Sequence, residues 1–265
     1  MKVIVITGST RGIGRGLADS FLERGCSVVI SGRSQADVDK LVAEFGDRYG
    51  ADKVAGCACE VSDFNALEGL WHAAVDAFGK VDVWINNAGV SVPRQNLWEA
   101  DPADLERISR INLTGILLAN RVALAGMIAQ GSGQVWNMEG FGSGGQMQPG
   151  MCAYGATKRG VDYITRALQK EVKGTPVQVC ALSPGIVVTD LLTGDYDLDS
   201  PEWEKSKKIF NILGDKVETV TPFLADGVLR ADKSGARVAW LTGGKAFMRF
   251  MTAGFNKRDL FADLT

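Results

Sequence analysis

The sequence predicts an α/β fold: a single domain with one doubly wound, parallel sheet covered by helices on both faces. Two observations carry this. Short β-branched runs alternate with segments of helical periodicity along the chain, as strand–helix–strand units with parallel strands require. No linker-like run or charge block divides the 265 residues, of which 46% are hydrophobic and 23% charged, enough for one large core.

The elements follow in order. Residues 2–7, KVIVIT, read as the first strand, and Ile13, Leu17, Ala18, Phe21 and Leu22 then recur at helical spacing until Gly25. Strand-like runs return at 27–31, 53–58, 80–85, 134–138, 177–182 and 237–241, with helical segments at 35–49, 63–78, 101–130 and 152–173. Residues 191–213 read as a loop and helix over the cleft, bearing Trp203, Phe210, Ile212 and Leu213. An apolar lid and ordinary helix packing both account for that pattern.

Composition excludes several functions. A net charge of -2 with interspersed acids and bases gives no electrostatic footprint for nucleic acid. The longest apolar stretch, GILLANRVALAGMIAQ, is interrupted by Asn120 and Arg121, so no transmembrane segment is expected. Strand-like residues begin at Lys2, so no secretory signal is expected either. Five cysteines without zinc-ligand spacing point to a reducing compartment, and no metal is expected. Cys57 and Cys59 share one strand face, which suits apolar packing better than redox or metal chemistry. His72 is the only histidine, so a histidine-based triad would have to be built around it.

Glycine is the compositional outlier at 32 of 265 residues, about 12% against a usual ~7%. Its clusters suggest backbone approaching a ligand. TGSTRGIG, residues 7–14, lies between a strand and a helix, where Gly8, Gly12 and Gly14 would bring backbone N–H groups and the helix dipole onto a pyrophosphate. At the end of the second strand stand Ser31, Gly32, Arg33 and Ser34, with no acid before Asp37. Arg33, helped by Arg11, fits a 2′-phosphate, so NADPH is expected over NADH.

Tyr154 and Lys158 lie at i and i+4 and converge on one helical face. A phenol with its usual pKa of about 10 becomes a useful proton donor when a neighbouring ammonium favours its ionised form, a pairing suited to protonating a carbonyl oxygen as hydride arrives.

TGSTRGIG, NNAG (86–89), Asn112 in INLTG, YGATK (154–158) and SPGIVVTD (183–190) resemble the short-chain dehydrogenase/reductases in content, order and spacing. The resemblance implies Tyr154 as acid, Lys158 as the residue that lowers its pKa and binds ribose, and Asn112 as holder of a relay water. It further implies a cofactor cradle of Gly8, Ser9, Thr10, Arg11, Gly12, Ile13 and Gly14, with Asn87, Ala88 and Gly89 lining it. Glu60 and Val61 would flank the adenine, Glu60 standing where the family usually has Asp, and Pro184, Gly185, Val187 and Thr189 would hold the nicotinamide. The family's catalytic serine, two or three residues after the asparagine of the fifth strand, is absent: Met138, Glu139 and Gly140 follow Asn137, and the nearest hydroxyl is Ser143.

A narrower resemblance, to the chlorophyll(ide) b reductases, rests on WINNAG, NMEGFGSGG, YGATKR, LSPGIVVTDLL, FNILGDKVETV and LTGGKAFMRF. It implies NADPH-dependent reduction of the formyl group of a chlorophyll-type tetrapyrrole. Plant members have Asp and Ala where this chain has Glu139 and Phe141. Glycines 140, 142, 144, 145 and 150 would leave room for a wide ligand, with Phe141, Met147, Phe210 and Leu213 offering apolar walls, although turns alone also call for glycine. Other expectations from resemblance are a homodimer or homotetramer packed through 101–130 and 152–173, and a cytoplasmic location, or the chloroplast stroma or thylakoid surface in a plant. The alternatives are a reductase for another hydrophobic carbonyl, such as a steroid, quinone or 3-oxoacyl compound, and a non-catalytic dinucleotide sensor.

Overall fold

Strand alternation sorts the apolar residues onto two faces. In the computed structural model, which describes residues 1–194, 196 and 198–262, Ile4 and Ile6 of β1 (Val3–Ile6) join one buried cluster and Val5 joins the other. The same division holds for Val28 and Ile30 against Val29 in β2 (Ser27–Gly32). Both faces of these strands are buried, as a doubly wound sheet requires.

Among the described residues seven strands pair in the order β3-β2-β1-β4-β5-β6-β7, all in parallel. The others are β3 (Val54–Ala58), β4 (Val83–Asn86), β5 (Gly133–Met138), β6 (Val177–Ser183) and β7 (Arg237–Ala239). The connecting helices are α1 (Gly12–Glu23), α2 (Gln35–Tyr49), α3 (Phe64–Phe78), α4 (Pro102–Ser109), α5 (Ile116–Gln130) and α6 (Cys152–Glu171). After β6 come α7 (Asp190–Thr193), α8 (Pro201–Leu213) and α9 (Val217–Arg230), and α10 (Gly243–Thr252) follows β7. The order reverses between β1 and β4, which opens a crevice beyond their carboxyl ends.

Local chemistry sets the helix starts. Ser34 accepts from the Asp37 amide at the head of α2, and Asp63 accepts from the Asn65 and Ala66 amides at the head of α3. Asp101 and Ser200 cap α4 and α8, each followed by proline at the first helical position. The expected helix over 101–130 contains a π-helical turn, Arg110–Gly115, between α4 and α5, and Asn112 sits inside it. The whole helix, Pro102–Gln130, is long and apolar enough to cross a membrane by length and composition. It lies instead on the sheet, with Ala119, Val122, Ala123 and Met127 buried.

Three regions depart from the expected elements. β4 begins at Val83, because Asp82 before it accepts from the Val3 amide at 2.7 Å and so belongs to the turn. α9 carries Pro222 within it and α10 opens on two glycines, so neither has a strong local signal. Tertiary burial forms α9, whose Val220, Leu224 and Val228 join the cluster containing Leu17 and Phe21 of α1. In the expected lid, Trp203 and Phe210 pack with Phe261 and Tyr196 into a small core of their own. Phe210 is therefore buried by the chain's own C-terminal segment and is not a substrate wall. Positions 195 and 197 of that stretch lie outside the described residues.

A buried polar network ties the sheet to the helices that carry the site. Asn137, fully buried on β5, accepts from Asn86 at 2.9 Å and Asn120 at 3.1 Å, and donates to Thr165 of α6 at 3.0 Å. Asn86 in turn accepts from the Trp84 indole at 2.8 Å. Asn137→Ala should leave the buried Asn86 amide donor unmatched, remove one of two partners from Asn120 and from Thr165, and destabilise the fold by about 2–5 kcal/mol, read as a lower denaturant midpoint with unchanged slope. A loss below about 0.5 kcal/mol would show that the network is dispensable.

Candidate active site

The N-terminus of α1 faces a cleft of about 760 Å³ beyond the carboxyl ends of β1, β2 and β4. From the glycine-rich turn, Gly8, Thr10, Arg11, Gly12, Ile13 and Gly14 line it. A β-carbon on Gly14 would lie 2.2 Å from the Gly8 carbonyl oxygen and 2.6 Å from the Asn87 amide nitrogen, so no larger residue closes this turn. Asn87 donates to the Thr7 and Gly8 carbonyls at 3.0 and 2.9 Å, fixing the loop after β4 to the turn after β1.

The same cleft is lined by Arg33, by Glu60 and Val61 after β3, by Asn87, Ala88 and Gly89, and by Thr189 after β6. Arg33 is exposed beside Ser34, Asp37 and Thr10. Glu60 turns back on its own loop, accepting from the Ser62 amide and hydroxyl. Six residues expected at the cofactor, Ser9, Tyr154, Lys158, Pro184, Gly185 and Val187, do not line the cleft itself. Ser9 is fully buried because its hydroxyl donates to the Ile6 carbonyl and accepts from the Ser31 amide, welding β1 to β2. Val187 belongs to the hydrophobic core. Val188, Asp190, Leu191 and Val217 also line the cleft; they lie within the motifs LSPGIVVTDLL and FNILGDKVETV but are not among the residues expected individually at the cofactor. An open helix N-terminus, a turn closed to side chains and a rim bearing Arg33 and Arg11, the latter 3.6 Å from Asp190, fit a dinucleotide, whose phosphates the glycine-rich turn would hold.

Tyr154 and Lys158 meet on α6 as their spacing predicts, with the Lys158 Nζ 5.8 Å from the Tyr154 ring centroid. Lys158 is buried and donates to the Met138 carbonyl at 3.2 Å. Burial brings its ammonium down to about 8, with the Glu139 carboxylate acting in the opposite direction. Glu139 is itself held by Arg237 of β7, which donates to both carboxylate oxygens at 2.7–3.0 Å. A β-carbon on Gly89 would sit 3.9 Å from the Lys158 Nζ, so the lysine stands at the inner end of the cleft.

Asn112 uses its side chain as a brace. Its oxygen accepts from the Val90 amide at 2.9 Å, and its nitrogen donates to the Val90 carbonyl at 2.9 Å and to Thr157 at 3.2 Å. Thr157 donates to the Tyr154 carbonyl at 2.8 Å, which links the π-helical turn, the loop after β4 and the catalytic helix.

Ser143 is buried; its hydroxyl accepts from the Gly140 amide and donates to the Lys158 carbonyl, both at 3.1 Å. Its single proton is committed to the backbone, so this conformation gives it no hydrogen to offer a substrate oxygen. Gly140 occupies the place beside the acid: a β-carbon there would lie 2.7 Å from the Tyr154 hydroxyl. The other loop glycines serve the loop itself, since a β-carbon on Gly142 would strike Gly155 of α6 at 2.7 Å and one on Gly144 would meet the Gln146 side chain at 2.8 Å.

Cys26, Cys59 and Cys180 are buried packing residues, and burial pushes Cys59 up to about 12 and Cys180 up to about 11; all five cysteines are free, and Cys152 is exposed. No group of His, Cys, Asp or Glu suited to a metal ion occurs among the described residues.

Because Glu139 raises the lysine's affinity for its proton, Glu139→Gln should lower it further and move the alkaline limb of the kcat/KM profile from near pH 8 toward neutrality. Arg237, 56% exposed, stays solvated when its partner loses charge. A limb that stays in place would separate Glu139 from Lys158.

Comparison with known proteins agrees with this geometry. Residues 2–197 match the short chain dehydrogenase family. Over 98% of the chain the sequence is 34% identical to "Probable chlorophyll(ide) b reductase", a chloroplastic protein of Arabidopsis thaliana, of which it spans 54%, about half the length. A second chloroplastic chlorophyll(ide) b reductase of that plant is 34% identical over 94% of the chain and 72% of the relative. Among solved structures, a 3-ketoacyl-(acyl-carrier-protein) reductase from Brucella melitensis complexed with NADH superimposes with a TM-score of 0.78 at 27% identity, covering 92% of this chain and 98% of that one. Fold, nicotinamide-dinucleotide cleft and Tyr154–Lys158 pair converge on one conclusion: the chain is an oxidoreductase belonging to the short-chain dehydrogenase family.

Proposed function

We propose that the enzyme uses NADPH to reduce the ring formyl group of a chlorophyll b-type pigment to hydroxymethyl. What supports the pigment is the reach of the likeness to the chlorophyll(ide) b reductases. It runs over 94–98% of the chain, through the C-terminal part that lies beyond the general family match at residue 197. The site accords with a carbonyl substrate at the phenol, because Gly140 brings bare backbone, and no side chain of its own, against the Tyr154 hydroxyl.

The cofactor, when bound, supplies the hydride. Tyr154 stands ready to give its phenolic proton to the carbonyl oxygen, so that aldehyde plus hydride plus proton balances as the alcohol. Lys158, buried and cationic below about pH 8, favours the tyrosinate left behind and eases the transfer. Asn112 and Thr157 hold helix α6 against the loop after β4, which fixes where that proton is delivered. With Ser143 turned to the backbone, Tyr154 is the side-chain donor to the substrate oxygen in this reading. Arg33 receives the 2′-phosphate, aided by Arg11. A homodimer or homotetramer through α4, α5 and α6 forms part of the reading, supported by the exposed Leu117, Ile128 and Tyr163. In a plant the chloroplast is the compartment it implies.

Purified protein incubated with NADPH and chlorophyll b, or its phytol-free form, should yield the hydroxymethyl pigment on chromatography. Tyr154→Phe should lower kcat by about 10²–10⁴ with NADPH affinity within a few-fold of the parent. Reduction of other aldehydes or ketones without any pigment product would sink the pigment reading and leave a general carbonyl reductase. Arg33→Ala should raise KM for NADPH by about 10- to 100-fold and that for NADH by no more than about threefold. Equal losses would remove Arg33 from the phosphate.

A further inference from the structure

Arg94 lies on the loop that follows β4, and that loop is held at its start. Asn112 bonds both the amide and the carbonyl of Val90, and Arg107 donates to the Ser91 carbonyl at 3.2 Å. Further along, a β-carbon on Gly150, just upstream of α6 and Tyr154, would lie 3.5 Å from the Arg94 Cβ. The Arg94 guanidinium stacks over the ring of Tyr196, 4.4 Å from its centroid, in the segment between α7 and α8. The loops leaving β4, β5 and β6 therefore meet at this one arginine.

Its hydrogen-bonding capacity is unused. The Arg94 Nε is buried without a partner, and no carboxylate among the described residues pairs with the side chain. Elsewhere the partly buried guanidinium groups are matched: Arg24 with Asp226, Arg107 with Asp104, and Arg249 and Arg258 with Asp215. Stacking on Tyr196 consumes the face of the guanidinium and fixes its plane. It leaves the in-plane N–H groups, the edge that matches a carboxylate in bidentate fashion.

We propose that Arg94 docks a carboxylate carried by the substrate, so that the pigment is taken as its free acid rather than as the long-chain ester. This rests on the carbonyl-reductase reading above and narrows its substrate to an apolar carbonyl compound with one anionic arm. An ester at that position offers no charge to the guanidinium and leaves its buried N–H unmatched.

The test compares kcat/KM for the free acid and the methyl ester of the same pigment. The parent enzyme should prefer the acid by about tenfold or more, chiefly through KM. Arg94→Gln should lower the value for the acid by about 10- to 100-fold and that for the ester by no more than about threefold. Arg94→Lys should restore part of the preference. Equal efficiency on acid and ester in the parent enzyme would overturn the proposal, as would an equal fall on both in Arg94→Gln. Should that variant fail to fold, the parent's acid-to-ester ratio and Arg94→Lys decide the matter alone. If neither pigment form is reduced, the pigment reading fails, and hydrophobic oxo acids paired with their methyl esters put Arg94 to the same two criteria.

Discussion

The buried side chain of Asn137 is the constraint from which the site follows. It sits at the carboxyl end of β5 and joins β4, α5 and α6 through three hydrogen bonds, so strand and helices cannot shift independently. The next three residues then each have a fixed task. Met138 offers its carbonyl to the Lys158 ammonium, Glu139 sends a carboxylate toward the same region, and Gly140 lets the backbone pass close to the Tyr154 hydroxyl, where a β-carbon would clash. Four consecutive residues therefore set the position, the charge and the close surroundings of the catalytic pair.

Electrostatically the arrangement is a balance between burial and one neighbouring charge. A lysine placed among apolar strands loses hydration, and Lys158 falls to about 8 with a single carbonyl as its hydrogen-bond partner. The Glu139 carboxylate keeps that fall from going further, and its own position depends on Arg237 at the far edge of the sheet. The last strand thus bears on the acid through two intermediates. A similar clamp orders the chain's end: burial pushes the Asp215 carboxyl up, yet hydrogen bonds from Arg249, Trp240 and Arg258 outweigh it and hold it below the usual range. That carboxylate fastens α10 and the tail to the base of α8, where Phe261 completes the core of the covering segment.

The strand positions, most helix boundaries, the glycine-rich turn and the Tyr154–Lys158 pair were legible because each depends on local periodicity or fixed spacing. What depends on contacts between distant residues was not. The polar network around Asn137 joins Asn86, Asn120 and Thr165, none of which has a distinctive neighbourhood in the sequence. The π-helical turn around Asn112 lies within an unbroken helical pattern, and α9 forms through burial against α1 in spite of Pro222. Ser143 shows the limit most clearly. A hydroxyl at that point invites a catalytic reading, and only the positions of the Gly140 amide and the Lys158 carbonyl reveal that it is spent in shaping the loop.

Placing glycine beside an acid has an energetic cost and a geometric gain. A side-chain hydroxyl at Gly140 would add a second donor to the substrate oxygen, an interaction commonly worth a few kcal/mol in the transition state. Its absence shifts the work of protonation onto Tyr154 and increases the importance of keeping Lys158 charged. In return, the backbone of Gly140 can come close to the phenol, where a β-carbon would clash with its hydroxyl. The substrate still has to be held in register. The loop after β4 supplies the means, since it is braced by Asn112 at one end and carries Arg94, stacked on Tyr196, at the other. Catalytic strength near the reacting carbon is thereby exchanged for a close backbone approach, and orientation is recovered from a charge placed at the rim.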